Sequence, residues 1–490
     1  MESLPPALHH ALCAIVGPDG VLVGPAARRV YARDASLESA PPLAVVLPTT
    51  TEQVSALVRL AAAHGLPVVP RGAGTGLSGG AVAVQGGLLV VLTRMNRILA
   101  VDVANRTALV EPGVVNAELS QAVARYGLFY APDPSSQPVC TIGGNVAENA
   151  GGPHCLAYGV TANHVLGLEL VLADGHVVWT GGLAPDRPGY DLTGVVVGSE
   201  GTLAIVTKVL VRLLPRPEEV RTILAVFETV EAASQTVSET IAQGILPVAL
   251  EMMDGLSTQA VERAMRVGLP PDAGAVLLIE LEGRREEVEA QAGAVADLCQ
   301  RQGARLVRTA ASAAERARLW AGRKGARGAL GKLAPNYYVH DVVVPRSRVP
   351  EALRRIGQIA ERYSLPIATY LHAGDGNLHP NILFDARDPD QFERAMAAGA
   401  AIVAMAIELG GSITGEHGVG TEKRAFLPWL FSAEDLAFME RLRRAFDPDG
   451  RLNPEKILPT PGGCGEVRRA SRLTARERST PAPASGRPSS

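Results

Sequence analysis

The sequence predicts a mixed fold of helices and strands, α/β or α+β, arranged as two large domains. Three observations carry this reading. The chain has 490 residues, enough for two or three domains at roughly 100–200 residues each. Strand-like apolar runs alternate with helical patterns from about residue 40 onward. Pro215 and Pro217, interleaved with Arg216, Glu218 and Glu219, mark a boundary, giving units 1–216 and 217–458 and a tail 459–490.

The elements follow in order. Residues 43–47 are short, apolar, β-branched and bounded by prolines, as a buried strand is. Thr50 with Gln53 is a capping-box signal, and Val54, Leu57, Val58 and Ala61 recur at helical spacing up to Gly65. A strand at 66–69 leads into a glycine-rich loop, 70–80. Strands are expected at 88–92, 98–103 and 107–111, then a helix at 116–126. A second glycine-rich region, 132–152, precedes strands 167–172 and 176–180, joined by Asp174-Gly175, and a glycine turn interrupts the apolar stretch 195–207. In the second half, helices are expected at 230–243 and 285–302 and strands at 275–282 and 339–344. The alanine-rich run 395–407, ended by Glu408, reads as a buried helix. The tail has six arginines against two glutamates and almost no large apolar side chain, as a solvated segment does.

Composition narrows the function. Apolar residues make up 47% and charged residues 20%, which suits a large core. The net charge of -3 and the absence of aromatic-plus-basic platforms argue against nucleic-acid binding. No stretch reaches the roughly 18 apolar residues of a membrane span, and the first residues lack the basic start of a signal peptide. Five scattered cysteines (Cys13, Cys140, Cys155, Cys299, Cys464) without a CxxC argue against disulfides, structural zinc and iron–sulfur clusters. They favour a cytoplasmic chain, held at most peripherally at a membrane through a partner.

Glycine, at 51 residues, is about a tenth of the chain against a usual ~7%, so function is sought in the glycine loops. The stretch Pro70 to Gly80 follows a strand, and successive glycines let backbone N–H groups face one concavity, which suits an anion. It is not a P-loop, since Gly79 is followed by Gly80-Ala81 rather than Lys-Ser or Lys-Thr. Gly74, Gly76 and Gly79 match GxGxxG, but a strand pattern follows where a Rossmann site needs a helix. Further clusters, TIGGN at 141–145, NAGG at 149–152 and GSEGTL at 198–203, suggest a long ligand laid across one domain.

The segment IATYLHAGDGNLHPNIL, 367–383, reads as a hairpin turning at Asp375-Gly376. With a two-residue loop, His372 and His379 oppose each other on one face, shared by Asn377, at a separation that lets both imidazoles chelate one divalent ion. Glu416, beside His417 in a GEHG loop, supplies a third ligand and leaves positions open for substrate. The plainer reading is a pair of surface histidines and an unrelated loop.

These motifs together resemble the flavoprotein family of the vanillyl-alcohol oxidase and p-cresol methylhydroxylase type, in its D-2-hydroxyacid dehydrogenase branch. That branch includes D-lactate dehydrogenases, the flavin subunit of bacterial glycolate oxidase and D-2-hydroxyglutarate dehydrogenase. The resemblance spans roughly residues 40–458. It implies an α+β fold: a two-part FAD-binding domain, then an FAD-linked oxidase C-terminal domain of antiparallel sheet plus helices. It implies noncovalent FAD with its diphosphate over Arg71, Gly72, Ala73, Gly74, Thr75, Gly76, Leu77 and Ser78. A second wall would come from Pro132, Ser135, Thr141, Gly143, Gly144, Asn145 and Gly152, backbone contacts from Gly201, Ile205 and Val206, and a returning Asn453 beside the ring.

The resemblance also makes His372, His379 and Glu416 metal ligands; zinc suits the donor set, with manganese and iron(II) open. Arg323 in LWAGRK, read alone an exposed arginine on an amphipathic helix, matches the family's substrate arginine and would take the acid's carboxylate. His417 would be the general base and Asn377 an orienting residue. The expected reaction is oxidation of a small D-2-hydroxyacid to the 2-oxoacid. Where relatives acting on 2-hydroxyglutarate carry a lysine, the segment NYYVHDVVVP offers Tyr338, His340 and Asp341, which favours glycolate or D-lactate. Electrons would leave through an iron–sulfur or other electron-accepting subunit or carrier, and a homo-oligomer is compatible with the sequence.

Overall fold

The computed structural model describes residues 4–184 and 189–459, so the arginine-rich tail and Cys464 lie outside the described residues. Two sheets belong to the first half. A four-stranded sheet runs in the order Val21–Leu22, Ala44–Val46, Leu88–Val91, Val68–Arg71, the last three mutually parallel. Helix Thr51–Ala63 connects two of these strands; Thr50 Oγ1 caps it, accepting from Gln53 N at 3.3 Å. A five-stranded antiparallel sheet follows, in the order Ile98–Asp102, Thr107–Val110, Ile205–Arg212, Val165–Val171, Val177–Gly181. No helix follows Gly79 before the strand at Leu88, as the sequence pattern predicts.

The second half is built on an eight-stranded sheet in the order 306–309, 219–227, 275–283, 249–254, 367–372, 377–384, 336–339, with the short strand Val342–Val343 also on 377–384. Both faces are covered, so residues 223–227 of strand Glu219–Phe227 are apolar without alternation. Ile223, Ala225 and Phe227 enter one core and Leu224 and Val226 the other. Helices Val230–Ala242, Arg285–Arg301, Val349–Tyr363 and Pro389–Glu408 close the first core; Gly255–Met265 and Ala313–Leu330 close the second. The last ordered segment returns to the first half: Val68 N donates to Arg451 O (2.9 Å) and Asn453 N to Val68 O (2.8 Å).

Two expectations need correction. The hairpin does not turn in two residues: strands Ile367–His372 and Asn377–Phe384 pair His372 with Asn377 and Tyr370 with His379, leaving the loop Ala373-Gly374-Asp375-Gly376. The histidines are therefore diagonal neighbours rather than directly opposed. A two-residue shift preserves the alternation of faces, so they still share one face. The strand expected at 339–344 is broken: pairing stops at Val339 and resumes at Val342, which turns His340 and Asp341 fully into the interior.

Candidate active site

A large cavity lies between the glycine loops of the first half and, from the second, strands Ile367–His372 and Asn377–Phe384, helix Ala313–Leu330 and the GEHG loop, with about 1560 Å³ of space, part of it open to solvent. Arg71, Gly72, Ala73, Gly74, Thr75, Gly76 and Leu77 form one wall. Ser135, Thr141, Gly143, Gly144, Asn145, Gly201, Ile205 and Val206 form another. The walls touch where glycine is required: a Cβ on Gly72 would collide with Thr141 Oγ1, and one on Gly143 would stand 2.5 Å from Pro112 Cβ.

Four residues expected on the walls stand behind them. Ser78 is fully buried and its carbonyl accepts from Thr421 N and Glu422 N. Pro132 O accepts from Asn116 Nδ2 at 2.9 Å. Gly152 is pressed against the Asp133 backbone. Asn453 Nδ2 donates to Gly80 O (2.8 Å) and Glu200 O (2.6 Å), pinning two wall loops together.

At the far end of the cavity three imidazoles surround one oxygen. Glu416 Oε1 lies 3.3 Å from His372 Nε2, 3.2 Å from His379 Nε2 and 3.7 Å from His417 Nε2. The His372 and His379 rings are 5.1 Å apart and nearly perpendicular, and His417 stacks on His379 at 5.0 Å. Burial alone would raise the Glu416 carboxyl, yet His372 and His379 outweigh it and hold the group well below the usual carboxylate range. Burial lowers His417 to about 4, against the opposing pull of Asp341, so its imidazole is neutral.

Two carboxylates hold this centre: Glu251, which sequence reasoning missed, and Asp341, which it noted without this role. Glu251 Oε1 takes His372 Nδ1 at 2.7 Å, which leaves Nε2 facing Glu416. Its only sequence signal is an acid inside the otherwise apolar run 249–253 of strand Ala249–Asp254. Asp341, fully buried, accepts from Gly415 N (3.0 Å), His417 N (2.9 Å), Thr414 Oγ1 (2.6 Å) and Lys423 Nζ (3.3 Å), fixing the GEHG loop. Asn377 donates to Asp341 Oδ1 at 2.6 Å and does not line the cavity, so it acts behind the site rather than in it.

Arg323 does line the cavity, but it is 2% exposed rather than on the surface. Helix Ala313–Leu330 packs its face onto the second core, and the guanidinium meets Glu251 Oε2 at 2.5 Å and lies 4.9 Å from the Tyr370 ring centre. Its Nε has no hydrogen-bond partner, which leaves a buried donor for a ligand. Lys324 and Arg327 follow on the same wall; Lys324 is paired with Asp133 at 2.8 Å and Arg327 donates to Ala35 O at 2.9 Å.

Comparison with known proteins decides the family. Residues 216–457 match "FAD linked oxidases, C-terminal domain" and residues 42–181 match "FAD binding domain". The glycolate oxidase subunit GlcD of Escherichia coli K12 is 48% identical over 87% of this chain and 85% of its own length. The chain belongs to the FAD-linked oxidases. A glycolate oxidase subunit GlcD of Bacillus subtilis is 45% identical over 91% of this chain and 96% of its own, and a D-lactate dehydrogenase of Archaeoglobus fulgidus 37% over 84% and 91%. Solved p-cresol methylhydroxylase shares the fold (TM-score 0.76, 20% identity, 92% of this chain and 96% of that one). So does 4-ethylphenol oxidase from Gulosibacter chungangensis (0.76, 21%, 93% and 97%).

For an FAD-linked oxidase the cavity fits its cofactor: Gly72, Gly74, Gly76, Gly143, Gly144 and Gly201 line it, so backbone rather than side chains faces much of the space. This FAD-linked oxidoreductase also has residues that fit a divalent ion. The ligand atoms of His372, His379 and Glu416 all lie within 4.8 Å of one another. A second grouping, Asp341 with His379 and His417, fits less well, because Asp341 is already saturated with donors. Among the described residues no helix is long and apolar enough to cross a membrane.

Proposed function

We propose that this FAD-linked oxidase converts a small D-2-hydroxyacid, glycolate or D-lactate, to the 2-oxoacid, using noncovalent FAD and a divalent ion on His372, His379 and Glu416. The observation that carries the reading is the convergence of three imidazoles on Glu416 Oε1 in the same cavity wall as Arg323. The names of its relatives, glycolate oxidase subunit and D-lactate dehydrogenase, support the substrate class. Bound FAD supplies the two-electron acceptor for the α-hydrogen, and a bound divalent ion, for which zinc suits the donor set, supplies Lewis acidity at the hydroxyl oxygen.

The chain's own residues do the rest. Arg323 holds the substrate carboxylate through its unpartnered Nε side, its charge tempered by Glu251. His417, kept neutral by burial, takes the hydroxyl proton on Nε2. Asn377 and Asp341 keep the loop that carries His417 in register. The segment 336–345, with Tyr338, His340 and Asp341, carries no lysine, and Lys324 on the cavity wall is taken up by Asp133, which favours a monocarboxylate over 2-hydroxyglutarate. Electrons then leave to a partner subunit or carrier, since no CxxC motif is present to hold an iron–sulfur cluster in this chain.

The test is anaerobic titration of the flavin-loaded protein with D- and L-2-hydroxyacids before and after chelation. Glycolate or D-lactate should bleach the flavin, chelation should suppress bleaching while flavin stays bound, and His417→Gln should slow it by roughly 10²–10⁴-fold. Bleaching by none of the acids, or unimpaired bleaching by the variant, would overturn the assignment.

A further inference from the structure

We propose that Glu148 and Glu200 hold a single proton between them in the wall of the flavin cavity, and that this proton site answers to the charge of the bound cofactor. Neither residue has a part in the oxidation described above. Glu148 ends the helix Ile142–Glu148, Glu200 lies in the loop before the strand Ile205–Arg212, and both line the cavity. Their carboxyl groups bracket Gly418, in the loop that carries His417: a Cβ there would stand 2.8 Å from Glu200 Oε1 and collide with Glu148 Oε2. They also meet at Gly80, where a Cβ would stand 2.8 Å from Glu148 Oε1 and 3.8 Å from Glu200 Oε2.

Their partners differ. Glu200 Oε1 accepts from Val419 N at 2.7 Å and Oε2 from Gly420 N at 2.8 Å, an arrangement that suits a carboxylate. Glu148 Oε2 is buried and has no hydrogen-bond partner. The other charged groups facing the pair are Asp34, Lys423 and Lys456. Asp34 adds a third acid. Lys423 is taken up by Asp341 and Thr414, and Lys456 donates to Val82 O at 2.8 Å. Two adjacent carboxyls so placed do not both ionise near neutrality, and the proton rests on Glu148, the one without donors. Burial, then Glu200 and Asp34, raise the Glu148 carboxyl well above its usual range, and burial pushes Glu200 to about 7 against its two amides.

When the flavin receives two electrons and one proton its net charge becomes more negative, and a carboxyl pair in the same cavity then binds a proton more tightly. Up to one further proton is taken from solvent, with no other bond made or broken. The experiment is a reductive titration of the flavin-loaded protein with a chemical reductant and no hydroxyacid, repeated between about pH 6 and 9. The parent should take up more protons per two electrons than Glu148→Gln, with the excess setting in near pH 7. Glu200→Gln should lose the same excess. Identical pH dependence of the midpoint potential in the parent and both variants would overturn the proposal. Because no substrate is used, a wrong substrate assignment leaves this result intact, and a failed proton linkage leaves the substrate assignment intact.

Discussion

Glu416 Oε1 lies within 3.7 Å of three imidazole nitrogens, and its position depends on a carboxylate it does not touch through its own side chain. Asp341 accepts the backbone N–H groups of Gly415 and His417, so it fixes both Glu416, the proposed metal ligand, and His417, the proposed base. Asp341→Asn keeps the size but replaces an acceptor of several donors by an amide that donates. We expect metal affinity to fall roughly 10–100-fold with flavin still bound, as for other partners that orient metal ligands. Metal titration of the variant beside Asn377→Asp checks it, and equal affinity to the parent would refute it. At this scale the sequence disclosed the residues that sit in short motifs: His372, His379, Glu416 and His417 each stand within a few positions of a glycine. Glu251 and the anchoring role of Asp341 escaped because their partners are distant in sequence. Glu251 meets His372 only when strands 249–254 and 367–372 pair, and Asp341 turns inward only because its strand breaks.

The hairpin that carries both histidines depends on its loop. Gly376 adopts φ +83°, and a Cβ there would collide with the Val344 carbonyl oxygen. Gly376→Ala therefore adds left-handed strain to a backbone clash, and should destabilise the protein by about 2 kcal/mol or more. It should also loosen the proposed metal site, because the neighbouring Asn377 reaches Asp341. Denaturant unfolding against Gly293→Ala, where a Cβ meets nothing within 4 Å, separates this effect from a general cost of substitution. Hairpin existence and face were legible in the alternation of 367–383, but register was not. A DG pair marks a two-residue turn only if its flanking residues pair, and here Asp375 N and Gly376 N both donate back to His372 O, closing a four-residue loop. Helices were the most legible elements: the expected 230–243 and 285–302 appear as Val230–Ala242 and Arg285–Arg301. The burial of Arg323 was not, because helix Ala313–Leu330 is polar on most of its surface and only packing reveals which arginine faces inward.

Across the whole molecule the two halves are joined beside the cavity by a charged cluster. His154 Nδ1 lies 2.8 Å from Asp133 Oδ2 in the first half, and its Nε2 lies 3.2 Å from Glu280 Oε1 in the second. Lys324, next to Arg323, also holds Asp133, and Trp320 Nε1 donates to Glu280 Oε2 at 2.5 Å. Burial alone would lower the His154 imidazole, but Asp133 and then Glu280 outweigh it and raise it to about 10 from 6.5. A histidine raised on folding contributes stability that is fully present below its unfolded value and is lost as pH rises through the folded one. The contribution of His154 should therefore be complete below about pH 6.5, shrink steadily above it and vanish near pH 10. It should be on the order of 2 kcal/mol at its largest, allowing for partial solvent screening. His154→Gln keeps the bulk and one donor but cannot carry the charge. The gap in unfolding midpoint between parent and variant should be widest at about pH 6 and should narrow to a pH-independent remainder by about pH 10. Part of the gap comes from packing of His154 against Trp320, whose rings lie 5.2 Å apart, and that part does not change with pH. A gap constant across the range would mean that packing is all His154 contributes, and that the charge linking the flavin half to the helix of Arg323 does not stabilise the fold.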